Sequence, residues 1–283
     1  MKIAVASGKG GTGKSMVAGN FARVMSRDRT VVLVDADVEE PNLHLFFPAP
    51  ATAVPVTVPE PAVDPDRCTN CGECGRFCRY GALTVTPSRV LFFRELCHSC
   101  GGCALVCPEG AIRETPVVVG SVETRVVSDT LTLISGIMNE GEIRAPPVIA
   151  AAKKAAESHP LIILDIAPGV TCPVVEALSG CDACILVTEP TPFGLHDLDL
   201  AVRLCRMLAV PAGVVVNRHT PGGDEVFSYC EERGLPVLLT IPFDRTIAAV
   251  QNAGGLIADH DPAWQDAFSA LAGRITAFAE EAT

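Results

Sequence analysis

Seven short apolar runs punctuate the chain, at residues 3–6, 31–34, 131–134, 161–164, 183–187, 213–216 and 237–239. They are rich in β-branched residues and continuous rather than alternating. That pattern suits strands buried on both faces. Between most of them lie stretches of helical character, at 14–26, 147–158, 195–208 and 225–233. Strands alternating with helices predict a doubly wound, mostly parallel α/β sheet. A last stretch, 262–281, places Trp264, Phe268, Leu271, Ile275 and Phe278 on one face of a terminal amphipathic helix.

The alternation breaks once. From 48 to 65 the chain is rich in Pro, Ala and Val with no helical period, and it then enters a cysteine-rich stretch that closes near Thr115 and Pro116. Prolines on both sides are expected of an inserted module. Within it Cys68, Cys71, Cys74 and Cys78 recur 29 positions later as Cys97, Cys100, Cys103 and Cys107. A duplicated half-module accounts for the repeat. The expected organisation is a discontinuous α/β domain, 1–58 and 116–283, interrupted by a small α+β insert, 59–115.

Composition narrows the class. Of 283 residues, 48% are hydrophobic, which is a globular composition. No apolar run is long enough to span a bilayer, and no signal peptide is evident at the N-terminus, so a cytoplasmic location is expected. The net charge of −11 and the lack of any Lys/Arg cluster argue against nucleic acid as a partner. Between 64 and 115 six arginines balance six acids, so the acidity belongs to the rest of the chain. The terminal stretch carries Arg274 as its only basic residue beside Asp266, Glu280 and Glu281, unlike a basic membrane-surface helix.

Chemistry enters at Gly8-Lys9-Gly10-Gly11-Thr12-Gly13-Lys14-Ser15, which fits G-x-x-x-x-G-K-[ST] between a predicted strand and a predicted helix. The glycines allow a tight turn whose N–H groups point at phosphate. Lys14 would neutralise the β- and γ-phosphates, and the Ser15 hydroxyl would ligate Mg²⁺. Asp35, Asp37 and Asp165 fall at the ends of predicted strands, where a doubly wound sheet forms its ligand crevice.

With Lys9 at its second position, the loop resembles the deviant Walker A of the MinD/ParA group, which includes nitrogenase iron protein and the metal-cluster scaffold ATPases. Three further stretches are similar to that group. Val32-Leu33-Val34-Asp35-Ala36-Asp37 resembles its first switch, and Ile163-Leu164-Asp165-Ile166-Ala167-Pro168-Gly169 its Walker B and second switch. Val215-Val216-Asn217-Arg218 resembles the strand end whose Asn reads adenine. The resemblance implies that Asp37 positions the attacking water and that Asp165 is a second-shell Mg²⁺ carboxylate. It implies that Lys9 reaches a partner's nucleotide across an ATP-dependent dimer, either a homodimer or a heterodimer with a paralogue. Met16, Asn217, Arg218, Pro242 and Asp244 join the loop as nucleotide-binding candidates.

Each half of the cysteine module reads C-x₂-C-x₂-C-x₃-C, the bacterial ferredoxin spacing, in which the fourth ligand crosses to the other half. One [4Fe–4S] cluster would use Cys68, Cys71, Cys74 and Cys107, and the other Cys97, Cys100, Cys103 and Cys78. Zinc more often takes C-x₂-C pairs with a longer spacer, and disulfides do not suit a cytoplasmic chain. The proline after Cys107 is replaced by Arg79 after Cys78, a cation that either tunes a cluster or faces solvent. Of the other five cysteines, Cys181, Cys184 and Cys205 read as core thiols. Cys172, just after the second switch, reads as a core or capping thiol, with a place near the nucleotide as the alternative. His98, between two module cysteines, reads as a solvent-facing loop residue.

Taken whole, the chain resembles MinD-superfamily ATPases with an inserted ferredoxin domain. Three functions are consistent with that resemblance: nucleotide-gated electron transfer to a redox or metalloprotein partner, assembly of a metal cofactor, and a positioning ATPase with structural clusters. The segment 188–197 matches the ferredoxin-inserted group without an evident chemical role.

Overall fold

The computed structural model describes residues 1–222 and 224–281. The side chains of Glu280 and Glu281 lie outside what is described. The chain runs β1 (Lys2–Ala6), α1 (Lys14–Met25), β2 (Val31–Ala36), β3 (Ala51–Val63), α2 (Glu73–Phe77), β4 (Leu83–Val85), β5 (Val90–Phe92), α3 (Gly102–Leu105) and β6 (Ile112–Ser128). It continues with β7 (Leu131–Met138), α4 (Ala145–Ala156), β8 (Ile162–Ile166), α5 (Cys172–Leu178), β9 (Ala183–Thr188), α6 (Pro192–Met207), β10 (Ala212–His219), α7 (Glu225–Arg233) and β11 (Val237–Pro242). Three helices close it: α8 (Arg245–Asn252), α9 (Ile257–His260) and α10 (Pro262–Glu281).

Each of the seven apolar runs forms a strand, and with β3 and β6 they make one nine-stranded sheet ordered β11-β10-β9-β1-β8-β2-β7-β6-β3. The first seven in that order are parallel, while β6 and β3 add on antiparallel. Residues alternate between two cores. Ala4, Val32 and Val34 point toward α4, α5, α6 and α7. Ile3, Val5 and Leu33 point toward α1, α8, α9 and α10. Parallel strands need crossovers, and helices on both faces explain why the strands carry no polar side.

The sheet is wider than the pattern predicts. The Pro/Ala/Val stretch is a 13-residue strand, β3, paired with the 17-residue β6 from Ala51↔Arg125 to Val63↔Ile112. Its prolines 55, 59 and 61 hide the strand from a periodicity reading. They are tolerated because β3 is the sheet's edge, where an N–H need not enter the ladder. Even-numbered Val56, Val58 and Glu60 are buried, the alternation of a half-covered strand. The ladder runs unbroken past 58/59 and 115/116, and the eight clustered cysteines lie beyond its far end.

Out there the 29-residue repeat is visible in the backbone. Asn70 and Ser99 share positive φ, as do Gly72 and Gly101, and Gly81 and Gly110. The short helices α2 and α3 begin at equivalent positions, and Cys74, Leu83 and Ile112 form a small core of their own.

Candidate functional site

The glycine-rich loop joins β1 to α1 at the carboxyl edge of the sheet. Gly13 adopts a left-handed conformation, φ 89°, and a Cβ there would lie 2.3 Å from Asn217 Nδ2. Only glycine meets both demands. Asn217, at the end of β10, donates from Nδ2 to the Thr12 carbonyl at 2.7 Å. A Cβ on Gly8 would sit 2.1 Å from the Asp197 carbonyl oxygen, so the loop rests on the first turns of α6. The Gly169 N–H donates to the Ser7 carbonyl at 2.9 Å, tying the segment after β8 to the same loop.

The strand-end carboxylates come together beneath it. Asp35 and Asp165 are register partners on β2 and β8. Lys14 Nζ donates to Asp165 Oδ1 at 2.6 Å, with both side chains buried. Asp35 accepts from the Leu43 N–H at 2.9 Å and the Asp37 N–H at 3.3 Å, so it organises the loop after β2. Burial, and then the charge of Asp165, push the Asp35 carboxyl up to about 7. Asp37 is less buried, and desolvation is the main cause that raises its pKa. It opens on a groove of about 510 Å³ between the loop after β2, the Ala167–Pro168 turn and Ala145 at the start of α4.

Other expected residues are more dispersed. Ser15 is half-buried and lines a separate cavity with Asn42 and Phe46. Met16 packs into the core beneath the loop. Arg218 is exposed with φ 56°, and its N–H donates to Asn217 Oδ1 at 2.9 Å. Pro242 ends β11, and Asp244 caps α8 by accepting from the Thr246 N–H at 2.7 Å. The strand β11 lies beside β10, and the Phe243 N–H donates to the His219 carbonyl at 2.9 Å.

Glu189 is the residue that sequence reasoning missed. It follows β9 directly, lies 3.3 Å from Lys9 Nζ, and also binds Arg218. Its neighbours hold it in place. Thr191 caps α6 by accepting from the Gly194 N–H at 3.0 Å, and Thr188 Oγ1 donates to the Gly194 carbonyl at 3.0 Å. The segment 188–197 is thus the support under the glycine-rich loop. No periodicity marks such a role, because it depends on two loops meeting across the sheet edge.

The eight module cysteines sort into two sets around two cavities. Cys68, Cys71, Cys74 and Cys107 line one of about 20 Å³ with Val85 and Val90. Cys78, Cys97, Cys100 and Cys103 line another of about 310 Å³, with Phe77, Tyr80 and Phe92 in its wall. Each set takes three thiols from one half and one from the other. Backbone N–H groups donate to two of the sulfurs, Ala111 to Cys107 Sγ at 3.3 Å and Ser99 to Cys97 Sγ at 3.4 Å. Burial pushes the Cys74 thiol up, and Cys103 up to about 11. Among the described residues, no three His, Cys, Asp or Glu side chains converge to hold a single metal ion. His98 stacks on Tyr80 with ring centroids 3.7 Å apart, so one aromatic pair joins the two halves. Arg79 is exposed at the rim of the larger cavity. Cys181, Cys184, Cys205 and Cys230 are buried, whereas Cys172 is exposed as the first residue of α5 and is not a core thiol.

Residues 3–257 match the family described as the CobQ/CobB/MinD/ParA nucleotide binding domain. Two uncharacterized proteins of Methanocaldococcus jannaschii are relatives. MJ0579 is 30% identical over 77% of this chain and 80% of its own, and MJ0578 is 31% identical over 77% and 78%. Among solved structures, the septum site-determining protein MinD of Pyrococcus horikoshii, complexed with Mg-ADP, superposes with a TM-score of 0.61 at 19% identity. That match covers 100% of this chain and 98% of that one. The cell division ATPase MinD of Pyrococcus furiosus gives 0.58 at 21% identity, over 98% of each chain. At these identities the likeness is one of fold. No helix among the described residues is long and apolar enough to cross a membrane. The match over most of the chain and the glycine-rich loop it contains make this protein a member of the CobQ/CobB/MinD/ParA family of P-loop nucleotide-binding proteins.

Proposed function

We propose that this chain is a Mg²⁺-dependent ATPase whose nucleotide state gates electron passage through two [4Fe–4S] clusters to a partner protein. The observation that carries the reading is the sorting of eight thiols into two crossed sets around separate cavities, in a chain with the family's P-loop. A cubane cluster takes one thiolate per iron, so its ligands surround a space and do not converge on a point. Cys68, Cys71, Cys74 and Cys107 would hold one cluster, and Cys97, Cys100, Cys103 and Cys78 the other. When bound, each cluster supplies a one-electron couple.

The chain's own residues supply the rest. Loop N–H groups and Lys14 would bind the phosphates, and the Ser15 hydroxyl would hold Mg²⁺. Lys14 donates to Asp165, so a triphosphate would compete for the same ammonium, and Asp165 would serve as the second-shell carboxylate of the Mg²⁺. Asp37 orients the attacking water. Asn217, Arg218, Pro242 and Asp244 form the nucleoside side of the site. Lys9, which pairs with Glu189, would serve the phosphates of a second copy or of a paralogue. A positioning role at membranes fits less well. The apolar face of α10 lies in the core, and Arg274 donates to the Leu238 carbonyl at 2.6 Å.

The test is anaerobic purification with iron and sulfide analysis, then cluster potentials with and without a non-hydrolysable ATP analogue. Gating predicts a shift of tens of millivolts, since about 59 mV is a tenfold change in a one-electron equilibrium, and a Lys9→Ala variant that does not shift. Equal potentials in both states would reject gating in favour of cofactor assembly. A chain that takes up neither iron nor sulfide would reject the clusters.

A further inference from the structure

A buried ion network fastens the cysteine module to the rest of the chain. Arg144, the residue before α4, is 6% exposed. Its Nε donates to Glu142 Oε1 at 2.7 Å, and its Nη2 to Glu142 Oε2 at 2.6 Å and to Glu60 Oε1 at 2.7 Å. Its Nη1 donates to Ser99 Oγ at 3.0 Å. Arg94 Nε reaches the same Glu60 oxygen at 2.9 Å. One guanidinium therefore gathers the edge strand β3, the turn before α4, and the loop between Cys97 and Cys100.

The turn that carries Arg144 also touches the nucleotide side. The Met138 N–H, at the end of β7, donates to the Val38 carbonyl at 2.9 Å, one residue after Asp37. Ala145, the next residue after Arg144, lines the groove that Asp37 and Pro168 share. The segment 138–145 thus bonds the loop after β2 at Met138 and shares a groove with it at Ala145, and through Arg144 it holds Ser99. The first cysteine half lacks such an anchor among the described residues. Arg67 donates to the Glu109 carbonyl, Arg76 pairs with Glu73, and Arg113 pairs with Asp64. All three arginines are exposed, and the pairs lie within or at the base of the module.

We propose that Arg144 is the positioning residue through which the nucleotide site acts on the second cysteine loop, residues 94–103, and not on the first. This rests on the reading that the P-loop binds ATP. A triphosphate that draws Asp37 and Pro168 together changes the groove in which Ala145 sits. The displacement passes to Ser99 because the buried guanidinium holds Glu60, Glu142 and the Ser99 hydroxyl at once, and a hydrogen bond from a charged donor shielded from water is costly to leave unmade. Of the two thiol sets, the one lining the larger cavity, with Cys97 and Cys100 flanking Ser99, receives the signal.

The experiment is site-resolved hydrogen exchange on the full chain, purified without oxygen, with and without a non-hydrolysable ATP analogue. Calorimetry measures nucleotide binding separately. The expected result is a several-fold change in exchange at 94–103 with none at 68–74, the three-cysteine run that lines the other cavity. Ser99→Ala, which leaves the Arg144–Glu60–Glu142 ions intact, should bind nucleotide like the parent and lose that change. Arg144→Gln should do the same, and if it does not fold, Ser99→Ala decides alone. Equal change in both halves, persistence of the change in Ser99→Ala, or no change with nucleotide bound would each overturn the joint. Absence of nucleotide binding in the parent chain would overturn the P-loop reading itself, and the joint with it.

Discussion

Lys14 and Asp165 share a buried 2.6 Å hydrogen bond, and a bound phosphate has to compete for the same ammonium. Asp37 stands apart, partly exposed, on the groove side of the loop that Asp35 organises. Their substitutions should therefore fail in different ways. Lys14→Ala removes charge from the phosphates and also leaves Asp165 buried without a partner. It should weaken nucleotide binding by on the order of 2–3 kcal/mol, the worth of a charged hydrogen bond. Asp37→Ala should leave binding near the parent value and lower turnover by ~100- to 10,000-fold, the range for losing one group that handles the reacting proton. Nucleotide titration beside steady-state hydrolysis separates the two. Parent-like hydrolysis in Asp37→Ala would show that another group orients the water.

At the scale of elements, the cysteine module is two copies of one loop–helix unit that exchange a thiol. The shared positive φ of Asn70 and Ser99, and of Gly72 and Gly101, shows the same backbone built twice. Because Cys107 lines the cavity of Cys68, Cys71 and Cys74, its loss should be felt in the opposite half. On the proposed reading, Cys107→Ser should lose or convert the cluster that Cys68, Cys71 and Cys74 would hold. The cluster that Cys97, Cys100, Cys103 and Cys78 would hold should keep its signal. Electron paramagnetic resonance of the reduced protein distinguishes this from damage confined to the half that carries the substitution. Part of this arrangement was legible beforehand, since four-cysteine spacing repeated at 29 residues marks a unit built twice. The ribbon that carries the module was not. Pro55, Pro59 and Pro61 speak against a strand until β3 is known to be an edge. Glu60 was the overlooked sign, a charge in phase with Val56 and Val58 on the covered face.

At the scale of the molecule, the long β3–β6 ribbon and the Arg144 ions decide how the module sits on the sheet. Arg144 beside it holds the Glu142 carboxyl down to about 2 from its ordinary 4.5, with desolvation opposing. The folded state thus binds this proton more weakly than the unfolded chain. The stabilisation is fully present above about pH 4.5 and is lost as pH falls toward 2. Linkage puts it at no more than about 3 kcal/mol. Glu142→Gln should therefore lower stability at pH 7 and converge with the parent as the pH drops toward 2. Denaturant unfolding of both proteins across that range checks it, and a gap independent of pH would mean that Glu142 contributes by packing alone.

The sequence by itself determined the seven parallel strands, the P-loop, and the repeat that pairs cysteine with cysteine. Each is a local signal. An apolar run reports burial on two faces, a glycine–lysine spacing reports a turn, and a four-cysteine spacing reports its own reach. What only the tertiary structure decided are the partnerships across distance: Glu189 with Lys9 and Arg218, Asn217 with the Thr12 carbonyl, and Arg144 with Glu60 and Ser99. A lone charged residue carries no mark of its partner along the chain. Which charges meet is set by strand order and register, and β3 has its place in that order through β6, which pairs antiparallel with β7.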